Sequence, residues 1–225
     1  MRKHILILLL LCFSLVASGQ QYTGLSGLVH IPTADMSPSE SMRVGVSYMS
    51  RHSIPSYAGI VMDTPIYHVA FTPYKWIEGS LMMSGWRRDG LSMADRSISV
   101  KVRPLEEGKW WPSVALGTMD PFGTGVYSNY YVSLSKHVEM LGGLWGATAS
   151  YRYYKNDVLK KWQGVVGGVT FSPNFYRDLR ASIEYTGNEF CISLDAKLFR
   201  FLKLQAALYD WRWFCGGVSF EITRL

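Results

Sequence analysis

This chain has little charge. Asp, Glu, Lys and Arg make up 18% of its 225 residues, against about 25% in ordinary soluble domains. Disorder is excluded all the same, because hydrophobic residues reach 48% and leave ample apolar surface for burial. The Lys and Arg residues are scattered and the net charge is only +6, which argues against the clustered basic footprint of a nucleic-acid binder. Cysteine is scarce, at three residues with no CxxC pair, and the five histidines are dispersed. No metal-ligand spacing is legible. Long apolar runs are missing beyond residue 20, where a helical membrane span would need about 18 consecutive apolar residues. Capped segments of 3.6-residue period are missing as well. Length allows one domain, or at most two small ones.

What is present begins with a leader. Arg2 and Lys3 precede an apolar stretch from Ile5 to Val16, and Ala17-Ser18-Gly19 supplies the small residues that a signal peptidase reads. Residues 1–19 are expected to be removed near Gly19 or Gln20. Cys12 sits among large apolar residues, so lipidation there is not expected. Removal leaves 21 basic against 17 acidic residues, or +4.

The remainder alternates between apolar and polar residues, the signature of strands with two different faces. At 190–198, Phe190, Ile192, Leu194, Ala196 and Leu198 oppose Cys191, Ser193, Asp195 and Lys197. Leu202, Leu204, Ala206 and Leu208 oppose Lys203, Gln205 and Tyr209, and Phe214, Val218, Phe220 and Ile222 oppose Ser219 and Glu221. Ile98, Val100 and Val102 oppose Lys101 and Arg103, while Leu179, Ala181, Ile183 and Tyr185 oppose Arg180 and Glu184. Turn signals divide the chain into twelve strands: 42–50, 65–73, 77–87, 95–104, 111–119, 126–136, 141–153, 163–172, 178–186, 189–198, 201–209 and 212–223. Asn156 to Trp162 reads as a loop.

An even set of roughly ten-residue alternating strands after a leader predicts a transmembrane, antiparallel up-and-down β-barrel over residues 41–225. Near-uncharged outer faces and aromatics near strand ends, among them Trp76, Trp86, Trp110, Trp111, Tyr151, Tyr153, Trp211 and Trp213, fit lipid and its interfaces. A soluble sandwich would alternate too, but would expose its polar faces. With the N-terminal side in the periplasm, the longer links (51–64, 88–94, 120–125, 154–162) face outward. Residues 20–40 are either a periplasmic arm or a plug folded into the lumen.

The polar lumen-facing set is the candidate binding site: Lys101, Arg103, Arg180, Glu184, Asp195, Lys197, Lys203, Gln205, Tyr209, Trp213 and Glu221. Opposite charges on neighbouring strands should pair. The set reads either as a salt-bridged filling or as a polar conduit or groove. Cys191 and Cys215 face inward on the tenth and twelfth strands, roughly 9–10 Å apart with a strand between them. That exceeds the roughly 7 Å limit of a disulfide, so two free thiols are expected.

Catalytic constellations are weak. Barrel phospholipases need Ser and His in mutual reach, with a third group orienting the His. Ser135 and His137 share a face, but His137 is placed in a turn over 137–140 without an orienting acid beside it. Asp120 to Gly125 is glycine-rich but precedes a strand rather than the helix that phosphate binding would need. The chain is therefore read as non-enzymatic, with no cofactor and no metal.

Three segments resemble the YjbH family of exopolysaccharide-associated outer-membrane proteins. The first is Gly24-Leu25-Ser26-Gly27-Leu28 with Ile31-Pro32-Thr33-Ala34. The second and most specific runs from Asp95-Arg96-Ser97-Ile98-Ser99-Val100-Lys101 through Leu105-Glu106-Glu107-Gly108, Trp111-Pro112 and Ala115-Leu116-Gly117 to Asp120-Pro121-Phe122-Gly123-Thr124-Gly125 and Tyr127-Ser128. The third pairs Ile183-Glu184-Tyr185 with Gly216-Gly217-Val218-Ser219-Phe220. Family members are often several times longer, and this sequence ends Ile222-Thr223-Arg224-Leu225, leaving Phe220 as the candidate assembly signal. The resemblance implies an outer-membrane protein of polysaccharide export or surface assembly, acting as conduit or accessory component. Its expected partners are outer-membrane lipid, polysaccharide and other secretion or envelope proteins, but not nucleic acid.

Overall fold

The computed structural model describes residues 19–54, 62–88, 91–122 and 127–223. Residues 1–18 of the expected leader, the centre of the 51–64 loop, the tip of the Asp120–Gly125 loop and the side chain of Trp86 lie outside the described residues.

Twelve antiparallel strands pair in chain order, and the first pairs with the last. They are β1 (Ser41–Met49), β2 (Thr64–Tyr74), β3 (Ile77–Arg88), β4 (Leu91–Leu105), β5 (Ser113–Met119) and β6 (Asn129–Met140). There follow β7 (Gly143–Tyr154), β8 (Gly164–Pro173), β9 (Leu179–Tyr185), β10 (Phe190–Leu198), β11 (Leu202–Tyr209) and β12 (Trp213–Thr223). The closing seam runs from Ser41 opposite Thr223 to Tyr48 opposite Gly216. Closure gives every strand a partner on both sides and leaves no edge strand, the condition for a sheet to cross lipid. No helix among the described residues is long and apolar enough to do so.

Alternation is realised as expected. Val44, Val46, Val69, Leu81, Ile98, Leu116, Ile183, Leu194 and Phe220 are exposed on the outer wall. So large an apolar surface exceeds what a monomeric soluble protein leaves bare, and the wall is a membrane-spanning one. Aromatics collect at both rims, with Tyr74 stacked on Trp76 at one end and Tyr185 in tilted contact with Phe190 at the other. We call these the turn end, which carries residues 75–76, 106–112, 141–142, 174–178 and 199–201, and the loop end.

The structure corrects the sequence reading in three places. Strand β4 begins at Leu91, so the 88–94 link is shorter than expected. Asn156–Trp162 is not a loop: Asp157–Trp162 forms a 3₁₀ turn, because Leu159 and Trp162 are apolar side chains at one face that find burial against the barrel mouth. His137 is not in a turn: β6 continues to Met140 by pairing with β7, and the reversal falls on Leu141 and Gly142, both at positive φ.

Residues 19–37 run through the lumen. Two short bridges, Gln20 with Ser26 and Gly27 with Pro32, fold the segment onto itself. Gly24 permits the first reversal at φ 91°, and a Cβ there would also strike the His68 ring. The wall makes room with small inward residues such as Ser97, Ser99, Ser133 and Ser150. At Gly168 a Cβ would stand 2.5 Å from Leu28 Cδ1.

Candidate functional site: the plugged lumen and its turn-end pocket

Every backbone polar group of a segment inside a barrel must find a partner in the segment or the wall. Much of the inward set does that work. Ser26 donates its backbone N–H to Glu78 Oε1 at 2.9 Å and its hydroxyl to Glu78 Oε2 at 2.5 Å. Lys101 Nζ donates to Ser26 O at 2.7 Å and Asp35 O at 2.6 Å, and lies 3.1 Å from Glu78. Arg43 donates to Gly24 O at 3.0 Å, Arg180 to Gly27 O at 3.0 Å, and Arg152 to His30 O at 3.1 Å. Ser133 and Ser150 donate to Pro32 O, and Ala34 N donates to Ser135 Oγ at 2.9 Å. Gln205 donates to Gln20 O at 2.7 Å. The glycine and Pro-Thr-Ala signature is thus the plug, and Lys101 of the second motif is one of its anchors.

Wall charges pair across neighbouring strands and, for Lys197 on β10 with Glu221 on β12, across one intervening strand. Glu221 receives Arg43 at 2.8 Å, Lys197 at 2.6 Å and Lys203 at 2.7 Å. Asp195 receives Arg180 at 3.0 Å and Gln205 at 2.7 Å. Toward the loop end the filling turns apolar, with Val29, Met49, Ile66, Tyr154, Leu159, Trp162 and Tyr209 in one cluster. Two interior voids lined by plug and wall measure about 10 Å³ each, about the space of one water.

The sequence-derived set therefore divides. Lys101, Arg180, Glu184, Asp195, Lys197, Lys203 and Glu221 are buried, and Gln205 is half-buried; these hold the plug or one another. Tyr209 lies at the loop end over the His30 ring, centroids 5.1 Å apart, and Trp213 stacks on His52 at 3.8 Å. Arg103 stands apart at the turn end, donating to Lys75 O at 2.9 Å. The sequence reading missed Arg43, Glu78 and Arg152, which sit at inward positions between outward neighbours and were accessible to the same alternation rule. It also missed His30, which lies in no strand. Burial opposes an imidazolium at His30, but Glu184, 2.6 Å from Nδ1, and the nearby thiols of Cys191 and Cys215 outweigh it and hold the ring well above its ordinary range.

The turn end keeps an open pocket of about 300 Å³, lined by Asp35, Met36, Arg103, Glu107, Ser113, His137, Thr170, Ser172 and Arg180. This volume is at the lower end for small-ligand sites. Strand β6 aims His137 into it. His137 Nδ1 lies 2.8 Å from Glu107 Oε2 and Nε2 lies 3.5 Å from Asp35 Oδ1. The orienting acid that the sequence reading did not find is thus supplied from the 106–112 loop and the plug. Partial burial of Glu107 favours its neutral form, but hydrogen bonds from His137 and Lys136 prevail and hold it below the usual carboxylate range. Ser135 Oγ bonds instead to Ala34 N and to Thr148 Oγ1 at 2.8 Å, so Ser135 and His137 do not form the paired constellation that nucleophilic catalysis needs. With acceptors and donors side by side, the pocket suits the hydroxyls of a polar ligand.

Comparisons with known proteins agree with the motifs. The family model YjbH, described as "Exopolysaccharide biosynthesis protein YbjH", matches residues 19–193. A curated relative, the "Uncharacterized lipoprotein YjbH" of Escherichia coli (strain K12), is 26% identical over 263 aligned positions, covering 93% of this chain and 36% of the relative. The chain thus spans about a third of that relative's length. Among solved structures, outer membrane phospholipase A from Escherichia coli aligns with TM-score 0.39 and 12% identity, over 83% of this chain and 97% of that one. A Rh. blastica porin mutant aligns with TM-score 0.33 and 12% identity, over 83% and 75%. The barrel itself rests on its own strand pairing. With its motifs and 175 consecutive residues matched, the chain belongs to the YjbH family of exopolysaccharide biosynthesis proteins.

Proposed function

We propose that this protein is a non-catalytic outer-membrane component of exopolysaccharide export or surface assembly, acting by binding and not as a standing open pore. The observation that carries this reading is the plug: residues 19–37 occupy the lumen and are bonded to most of the strands around it. In the plugged state the turn-end pocket is a part of the interior open to ligand. With the loop end outside, that pocket faces the periplasm, where a growing sugar chain or a secretion partner would meet it. A conduit role requires the plug to leave.

A second reading, a subunit docked in a larger envelope complex, is favoured by exposed apolar residues at the turn end, Trp110 at 82% and Phe175 at 83%. Lone monomers after purification in mild detergent would count against it. The primary test is genetic. Deletion of the coding sequence should reduce surface exopolysaccharide, and re-expression of the full chain should restore it. Unchanged surface polysaccharide in the deletion strain refutes the proposal.

A further inference from the structure

Near the loop end, the plug and three strands bring His30, Glu184, Cys191 and Cys215 together. One ligand atom each from His30, Glu184 and Cys191 lies within 4.8 Å of the others. Cys215 also stands beside the His30 ring, and all four residues are buried. Glu184 Oε1 occupies Nδ1 at 2.6 Å. The other ring nitrogen, Nε2, is buried without a hydrogen-bond partner among the described residues, and it is the ring atom left to face sulfur.

We infer that His30 Nε2, Cys191 Sγ and Cys215 Sγ form a binding site for one thiophilic d¹⁰ cation, Zn²⁺ or Cu⁺, with Glu184 supporting the imidazole. Thiolate and imidazole donors select such ions over hard ones. A metal-bound histidine almost always donates its second N–H to a carboxylate or carbonyl, which fixes the tautomer; Glu184 already stands in that position. The strand order supports a bridging atom. Cys191 lies opposite Tyr209 and Cys215 opposite Ala207, so β11 separates the two cysteines. A disulfide must bring its sulfurs to about 2.05 Å, whereas two metal–sulfur bonds of about 2.3 Å tolerate a far wider gap. The two cysteines are offset by two residues along β11, Cys191 beside Tyr209 and Cys215 beside Ala207. On binding, the two S–H bonds and the imidazolium Nε2–H bond give way to two metal–sulfur bonds and one metal–nitrogen bond, and the three protons leave to solvent. Because His30 belongs to the plug and the cysteines to the wall, the ion would pin one to the other.

The test is metal analysis of the full chain purified in detergent under reducing, metal-replete conditions, with separate Zn²⁺ and Cu⁺ arms. The expected result is one equivalent per chain in one or both arms, and a sulfur-to-metal charge-transfer band when Co²⁺ replaces Zn²⁺. The Cys191→Ala/Cys215→Ala variant should lose both signals while keeping the heat-modified gel mobility of a folded barrel. If that variant fails to fold, thiol alkylation of the unmodified chain decides: the bound metal should protect both cysteines and a chelator should expose them. A substoichiometric content in both arms, metal retained by the double variant, alkylation indifferent to metal, or a Cys191–Cys215 disulfide overturns the site.

Discussion

Lys101→Met tests whether the plug is held by buried charge. Lys101 and Glu78 are both fully buried. The substitution keeps much of the side chain's length but removes its bonds to Ser26 O, Ser26 Oγ, Asp35 O and Glu78. Glu78 keeps its bonds from Ser26 and from Ser37 at 3.0 Å and its neighbour Arg43, but loses the countercharge of Lys101. Breaking one partner of a buried pair costs about 3–5 kcal/mol. Confined to the plug, that is roughly two to three and a half orders of magnitude in the ratio of seated to released plug, at about 1.4 kcal/mol per tenfold. The assay is protease cleavage of residues 19–40 in vesicles, alongside urea unfolding of the barrel. Glu78→Gln should cost less, since it retains hydrogen-bonding capacity. The double variant should recover part of the loss, giving a coupling energy beyond about 1 kcal/mol, as contacting pairs do. A loss below about 1 kcal/mol for Lys101→Met, or strict additivity in the double variant, refutes the reasoning.

Other consequences are open to direct measurement. Leu194, half exposed at the middle of the β10 outer face, should cost about 2–4 kcal/mol of barrel stability in vesicles when changed to Arg, whereas a soluble fold would tolerate it. Glu107 is held below the usual carboxylate range, so its tie to His137 contributes above that range and is lost as pH falls through the lowered value. Cleavage within 106–112 should therefore rise on acidification, and the rise should vanish in Glu107→Gln. His137→Ala should leave the lipid profile of cells unchanged, and a shift in lysophospholipid content would restore an enzymatic reading.

The sequence reading reached the twelve strands and their inward faces by a simple physical route. A barrel strand between lipid and a polar interior has opposite demands on its two faces, so every second residue reports its side. Phe190 through Leu198 could be read this way with no neighbour in view. Arg43, Glu78 and Arg152 obey the same rule, but Arg43 and Arg152 are the single charged residues of β1 and β7, and Glu78 sits at the start of β3 far from its other charges, Arg87 and Arg88, so they did not stand out.

The sequence by itself thus determined a closed, lipid-facing barrel, the parity of its charged residues and its family motifs, because these depend on local alternation and composition. It left open whether residues 20–40 are arm or plug, and only the tertiary structure decided this. Whether Gly24 to Ala34 enters the lumen depends on Glu78, Lys101, Ser133 and Glu184 meeting its backbone groups across separations of 52 to 154 residues. The meeting of His30 with Cys191 and Cys215 was hidden for the same reason: no spacing along the chain encodes a contact made by wrapping twelve strands around a plug. The scarcity of charge came from the wall, and what the remaining charges do was settled by what the wall encloses.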